Sequence, residues 1–173
     1  MQFPHTYFED EIREGFYITG AMKRAWAAQL EVLEEIDKVC KKHNIRWFAD
    51  CGTLLGAVRH GGYIPWDDDM DICMLRPDYI KFNQVAEQEL PKSFVVLNMH
   101  KEELYLEYMT RVTNGHRLNF DSNYLEKYHD CPYATGIDIF VLDYIAEDEE
   151  EEKERKALAT LIMAAGDEIK EDN

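Results

Sequence analysis

Apolar residues recur every three or four positions from Gly20 onward, at Met22, Trp26, Leu30, Leu33, Ile36 and Cys40. That period predicts a long amphipathic helix, with Lys41, Lys42 and His43 in its last turn and Asn44 as its stop. The β-rich run IRWFAD reads as a first strand. Cys51 and Gly52 end it, Thr53 is suited to cap a short helix TLLGAVRH, and Gly61 and Gly62 close that helix. MDICML predicts a second strand, after which Arg76-Pro77-Asp78 opens a helix to about Leu90, stopped by Pro91. FVVLN is a third strand and LYLEYMTRVT a fourth, with Asn114-Gly115 predicting a hairpin turn into HRLNF. DSNYLEKYHDCPY holds a helical turn, GIDIFVLD is a further strand, and a charged helix runs from about Asp148 to Gly166. The first dozen residues, MQFPHTYFEDEI, show no clear period, and residues 1–19 are expected to form an N-terminal arm. With no internal repeat or low-complexity linker, residues 1–173 are expected to form one α/β (α+β) domain, a mixed sheet flanked by helices.

Composition supports a folded chain: 46% of residues are hydrophobic and 12% aromatic, too many for a disordered segment. The net charge of −16 argues against a nucleic-acid binder, because phosphate affinity comes mainly from Lys and Arg. An anionic substrate would need a metal or a few placed cations. Much of the excess lies in EDEEEEKER, Glu147 to Arg155, which reads as a solvated helix start; residues 147–173 are expected to be an acidic C-terminal helix. Cys40, Cys51, Cys73 and Cys131 lie far apart, so reduced thiols are expected rather than a zinc site. No signal pattern opens the chain, and ALATLIMAAG is too short to span a bilayer, so the expected location is cytoplasmic.

The densest chemistry is PWDDDMDI, Pro65 to Ile72. Residues two apart on a strand share a face, so Asp69 and Asp71 are expected to present two carboxylates together while Met70 and Ile72 face a core. Asp67 shares their parity at the strand's start, and Asp68 should face away. Side-by-side carboxylates repel unless a cation lies between them, and magnesium is a hard ion that works with one or two carboxylates plus substrate phosphates. A solvated acidic turn is the plain alternative.

Two features strengthen the metal reading. Upstream, CGTLLGAVRHGG places a Gly-Thr pair at a strand-to-helix junction, where Gly52 allows close backbone approach and Thr53 offers a hydroxyl to a phosphate. Downstream, Asp138 in GIDIF stands between apolar neighbours and could supply a third ligand if its strand lies beside MDICML. An ordinary helix cap and an edge-strand aspartate are the plain readings of these two features.

FADCGTLLGAVRHGGYIPWDDDMDICM resembles the signature of the LicD family, whose best-known members transfer phosphocholine from CDP-choline to bacterial surface glycans. Fukutin-like enzymes, which move ribitol phosphate from CDP-ribitol, belong to the same wider group. The resemblance covers roughly Gly20 to Leu142 and implies a nucleotidyltransferase-like fold. It carries Gly52 and Thr53 onto the family's first active-site element, Asp69 and Asp71 onto the second and Asp138 onto the third. Arg59 and His60 in AVRHGG also belong to the signature, His60 equally suited to shaping the loop. Family members generally run further, so the chain is either a short member or lacks a C-terminal part.

The resemblance implies a phosphotransferase in which magnesium, or manganese, is held by Asp69, Asp71 and Asp138, with Asp138 alternatively acting as base. The donor would be CDP-linked, CDP-choline or similar, and the acceptor a hydroxyl of a glycan or lipid-linked glycan precursor, which places the work at the inner membrane face without an integral membrane segment. Arg111 is a candidate phosphate contact, a surface salt bridge being the plain reading. Trp47, Trp66, Tyr105, Tyr108 and Tyr133 are available to cage a quaternary ammonium, although aromatics at such spacings also fill cores. Two alternatives stand beside this reading: nucleotidyl transfer to a small molecule or protein, and a non-catalytic nucleotide-binding or interaction domain.

Overall fold

The computed structural model of the protein describes residues 1–101, 105 and 107–171, the side chains of 166–171 excepted. The long helix α1 spans Gly20–His43, where the apolar period predicts it. Thr19 starts it, its hydroxyl accepting from the Met22 N–H at 3.2 Å. Asn44 stops it in the left-handed conformation (φ 51°), which asparagine tolerates. Before α1, where an arm is expected, a 3-10 turn at His5–Phe8 precedes a hairpin of β1 (Glu11–Arg13) and β2 (Phe16–Ile18). Its two-residue turn, Glu14-Gly15, has positive φ at both positions, so a glycine signal marks it despite the weak flanking pattern.

The main sheet has the order β3-β4-β7-β6-β5, from β3 (Phe48–Ala49), β4 (Asp71–Leu75), β7 (Gly136–Leu142), β6 (Thr110–Thr113) and β5 (Val95–Leu97). Only β4 and β7 run parallel, with Asp71 opposite Asp138. The short helix α2 (Cys51–Arg59) joins β3 to the aspartate loop, and α3 (Arg76–Glu89) leads from β4 towards β5. One sheet face carries Ile72, Met74, Val96, Val112, Ile137 and Ile139, buried against Val32, Ile36 and Val39 of α1 and Tyr79, Phe82 and Ala86 of α3. The pleat therefore turns Asp71, Arg111 and Asp138 to the opposite face. The result is the expected mixed α+β arrangement.

Several boundaries differ from expectation. The expected fourth strand narrows to Thr110–Thr113, and its Leu104 and Leu106 lie outside the described residues. Asn114-Gly115 makes no hairpin into HRLNF. Buried Asn114 instead extends the pairing with the chain before β7: its N–H donates to the Thr135 carbonyl at 3.1 Å and its side-chain oxygen accepts from the Thr135 N–H at 3.0 Å. A tertiary partner thus overrides a local turn signal. The helical turn expected in DSNYLEKYHDCPY is α4, Ser122–Lys127, capped by Asp121. The acidic helix α5 spans Glu149–Glu171. Among the described residues, no helix is long and apolar enough to cross a membrane.

Candidate functional site

Strand β4 begins at Asp71, so Asp67 to Met70 form an irregular loop, and strand parity does not set the aim of Asp69, contrary to the expectation from sequence. Backbone and side-chain bonds fix this loop instead. The Asp67 N–H donates to the Ile64 carbonyl (3.0 Å), and the Met70 carbonyl accepts from the Asp138 N–H (3.1 Å). The Asp71 N–H donates to the Thr53 hydroxyl at 2.8 Å. Thr53 is therefore a tether from α2 to β4 and not the helix cap. The cap is Asp50, whose carboxylate accepts from the Cys51 N–H at 2.9 Å. A Cβ added to Gly52 would lie 2.2 Å from Asp67 Oδ2, so glycine is what lets that carboxylate rest on α2.

Ligand oxygens of Asp67, Asp68 and Asp69 converge within 4.8 Å of one another, so Asp68 joins the cluster it was expected to leave. Asp71 belongs electrostatically to the same group. Burial, then the charges of Asp69, Asp138 and Asp67, push its carboxyl up to about 6. Burial and the charge of Asp69 also raise Asp67. An all-oxygen donor set beside two carboxyls, Asp67 and Asp71, that burial and mutual charge push up fits a hard divalent cation, which would offset both effects. Asp138 is committed elsewhere. Arg111, its neighbour across β6 and β7, donates Nε–H to Oδ1 and Nη2–H to Oδ2, both at 2.6 Å. That pairing raises Arg111 further above its ordinary range, so the guanidinium is fully charged.

Two cavities meet at this loop. One, of about 230 Å³, is walled by apolar and aromatic groups including Leu30, Leu33, Trp47 and Tyr63, with Asp67 and Asp69 at its lining. The other, of about 380 Å³, is lined by Asp68, Asp69, Arg111, Thr113 and Asp138 among others. Asp69 and Met70 border both.

The remaining candidates scatter. Arg59 donates Nε–H to His60 Nε2 at 2.8 Å, which leaves the proton on Nδ1, 3.1 Å from Glu14 Oε1. His60 therefore ties the signature loop to the β1–β2 hairpin, and exposed Trp66 packs edge-on against it and against Phe16. Neither Arg59 nor Trp66 lines either cavity. Of the five aromatic candidates only Trp47 lines one; Tyr108 donates to the Ile162 carbonyl and Tyr133 is exposed. The cysteines are free as expected, three buried and Cys51 exposed.

The family description "LicD/FKTN/FKRP, nucleotidyltransferase domain" matches residues 44–139, more than half of the chain and all of the residues from Asp50 to Asp138 just described. The chain belongs to this LicD family. It is 43% identical over 60 residues to the lipopolysaccharide cholinephosphotransferase LicD of Haemophilus influenzae, over 35% of this chain and 23% of that protein. An uncharacterised protein of Rickettsia typhi is 43% identical over 58 residues, covering 34% of this chain and 19% of its own length. One from Rickettsia prowazekii is 34% identical over 87 residues, covering 50% and 32%. The matches thus span a third or less of each relative's length.

Sequence reasoning missed three LicD-domain supports. Trp26 Nε1–H donates to the Asp67 carbonyl at 2.9 Å, and Gln29 Nε2–H to the Asp68 carbonyl at 2.8 Å. The Tyr63 hydroxyl donates to Gln29 Oε1 at 2.9 Å. Trp26 and Gln29 lie before residue 44, outside the family match. A polar Gln29 three residues after Trp26, on a face otherwise apolar, is the signal that could have found them.

Proposed function

We propose that this protein is a magnesium-dependent phosphotransferase that moves a phosphoalcohol, phosphocholine foremost, from a CDP-linked donor to a hydroxyl of a cell-surface glycan or its lipid-linked precursor. The observation that carries this reading is the convergence of Asp67, Asp68 and Asp69 beside Asp71, next to a cavity holding Arg111 and Asp138. Asp69 and Asp71, with Asp67 and Asp68 close by, would hold the cation, and a bound magnesium or manganese would offset diphosphate charge and stabilise the leaving CMP. Arg111 would turn from Asp138 to a phosphate oxygen. The freed Asp138 could then complete the metal shell or accept the acceptor's proton. Thr53, bonded to the Asp71 N–H, keeps its own hydroxyl proton for a phosphate oxygen. The apolar cavity with carboxylates at its lining suits a compact organic cation better than a polyol, and the name of the Haemophilus relative supports choline.

The test is titration of CDP-choline and CDP-ribitol, with and without magnesium, into wild type and the Asp69→Ala/Asp71→Ala double variant. Metal-dependent binding in wild type and its loss in the variant are expected. If neither nucleotide binds with metal dependence, the reading fails. The nucleotidyltransferase wording of the family description keeps nucleotidyl transfer as a second reading. Released CMP supports phosphoalcohol transfer, and released pyrophosphate the alternative. Residues 1–173 are proposed to fold as one domain that works on the cytoplasmic side, peripherally at the inner membrane face.

A further inference from the structure

Four neighbouring carboxylates repel, and a loop carrying them would splay open without a cation unless its backbone were held. Residues 67 and 68 lie outside any strand, so no sheet ladder holds their carbonyls. The two donors that reach those carbonyls come from one face of α1. Trp26 and Gln29 are 2% and 6% exposed, and both bonds are shorter than 3 Å.

The orientation of Gln29 is not free. The Asp68 carbonyl can only accept, so the amide must present Nε2 to it, and Oε1 then faces the Tyr63 hydroxyl. Tyr63 in turn stacks on Trp26, ring centroids 4.8 Å apart and planes at 10°. The three side chains form a closed brace: each is held by another, and two grip the aspartate loop.

We infer that Trp26, Gln29 and Tyr63 are positioning residues that hold the Asp67–Asp69 loop in its cation-binding arrangement, before any cation is present. The inference rests on the metal-site reading above and adds to it Tyr63 and two residues, Trp26 and Gln29, that lie outside the family match. Outer partners that orient metal ligands commonly govern affinity through such bonds.

The experiment uses Mn²⁺ alone as probe, with free Mn²⁺ followed by its paramagnetic resonance signal, and thermal unfolding recorded in parallel. Gln29→Met removes the donor while keeping a similar volume. Trp26→Phe removes the Nε1 donor but keeps a ring against Tyr63, and Tyr63→Phe removes the hydroxyl that orients Gln29. Val32→Ala, on the same helix but in the core, serves as control for general destabilisation. Each brace variant is expected to weaken Mn²⁺ binding, the first two by roughly tenfold. Val32→Ala should lower the unfolding temperature and leave the Mn²⁺ dissociation constant unchanged. Wild-type affinity in folded Gln29→Met and Trp26→Phe overturns the inference, as does equal weakening in Val32→Ala. Should Gln29→Met fail to fold, Trp26→Phe and Tyr63→Phe decide the matter. Absence of Mn²⁺ binding by wild type overturns the metal-site reading itself and the brace with it, a result distinct from loss in the variants alone.

Discussion

Asp71 is the residue on which the site's electrostatics converge. Its carboxyl is raised from 3.8 to about 6, so the folded state binds its proton more tightly than the unfolded chain does. Stability contributed by the protonated form is present below about pH 4 and is lost as pH rises to about 6. Asp71→Asn is therefore expected to raise the unfolding temperature of the metal-free protein at pH 7.5 relative to wild type, and to matter little at pH 4; calorimetry at the two values checks this. Saturating Mg²⁺ should raise wild type and not the variant. Gly52→Ala makes a complementary test. The new Cβ would push the Asp67 carboxylate aside, so we expect weaker Mn²⁺ binding with the urea midpoint nearly unchanged. Asp69 and Asp71 stood out in the sequence as an Asp-x-Asp beside a Gly-Thr turn, and Gln29 only as a polar residue on an apolar helix face, because its partners Tyr63 and the Asp68 carbonyl are brought to it by tertiary folding.

At the scale of elements, α1, α2, α3 and the strand carrying Asp138 were legible from period and breakers, since each carries its own caps or a buried stripe. What sequence could not supply was pairing. The Asn114-Gly115 signal lost to Thr135, and the aim of Asp69 is set by loop bonds in place of strand parity. Parallel β4 and β7 lie at the sheet's centre, and their core-facing side chains should matter accordingly. Ile139→Ala is expected to cost about 2–5 kcal/mol, read by urea denaturation, because Ile139 is fully buried among Ile72, Val112 and Ile137. Thr53→Val, which unties α2 from β4, should cost about 1 kcal/mol in the same assay and weaken Mn²⁺ binding.

For the whole molecule, the core lies between one sheet face and two helices, and α5 stands largely outside it, with Leu158, Leu161, Ile162 and Met163 exposed. Deleting residues 149–173 is therefore expected to lower the unfolding temperature by no more than about 2–4 °C, the equivalent of about 1 kcal/mol. Circular dichroism would show it, and collapse of the fold would contradict the architecture described. The parallel register of Asp71 with Asp138 has a kinetic consequence. Partners so distant along the chain meet only after the intervening helices and strands have formed, because long-range pairing is slow. A refolding chain should therefore regain its full cation-binding strength late, together with the final sheet closure, making Mn²⁺ uptake in a stopped-flow experiment a clock for completed folding.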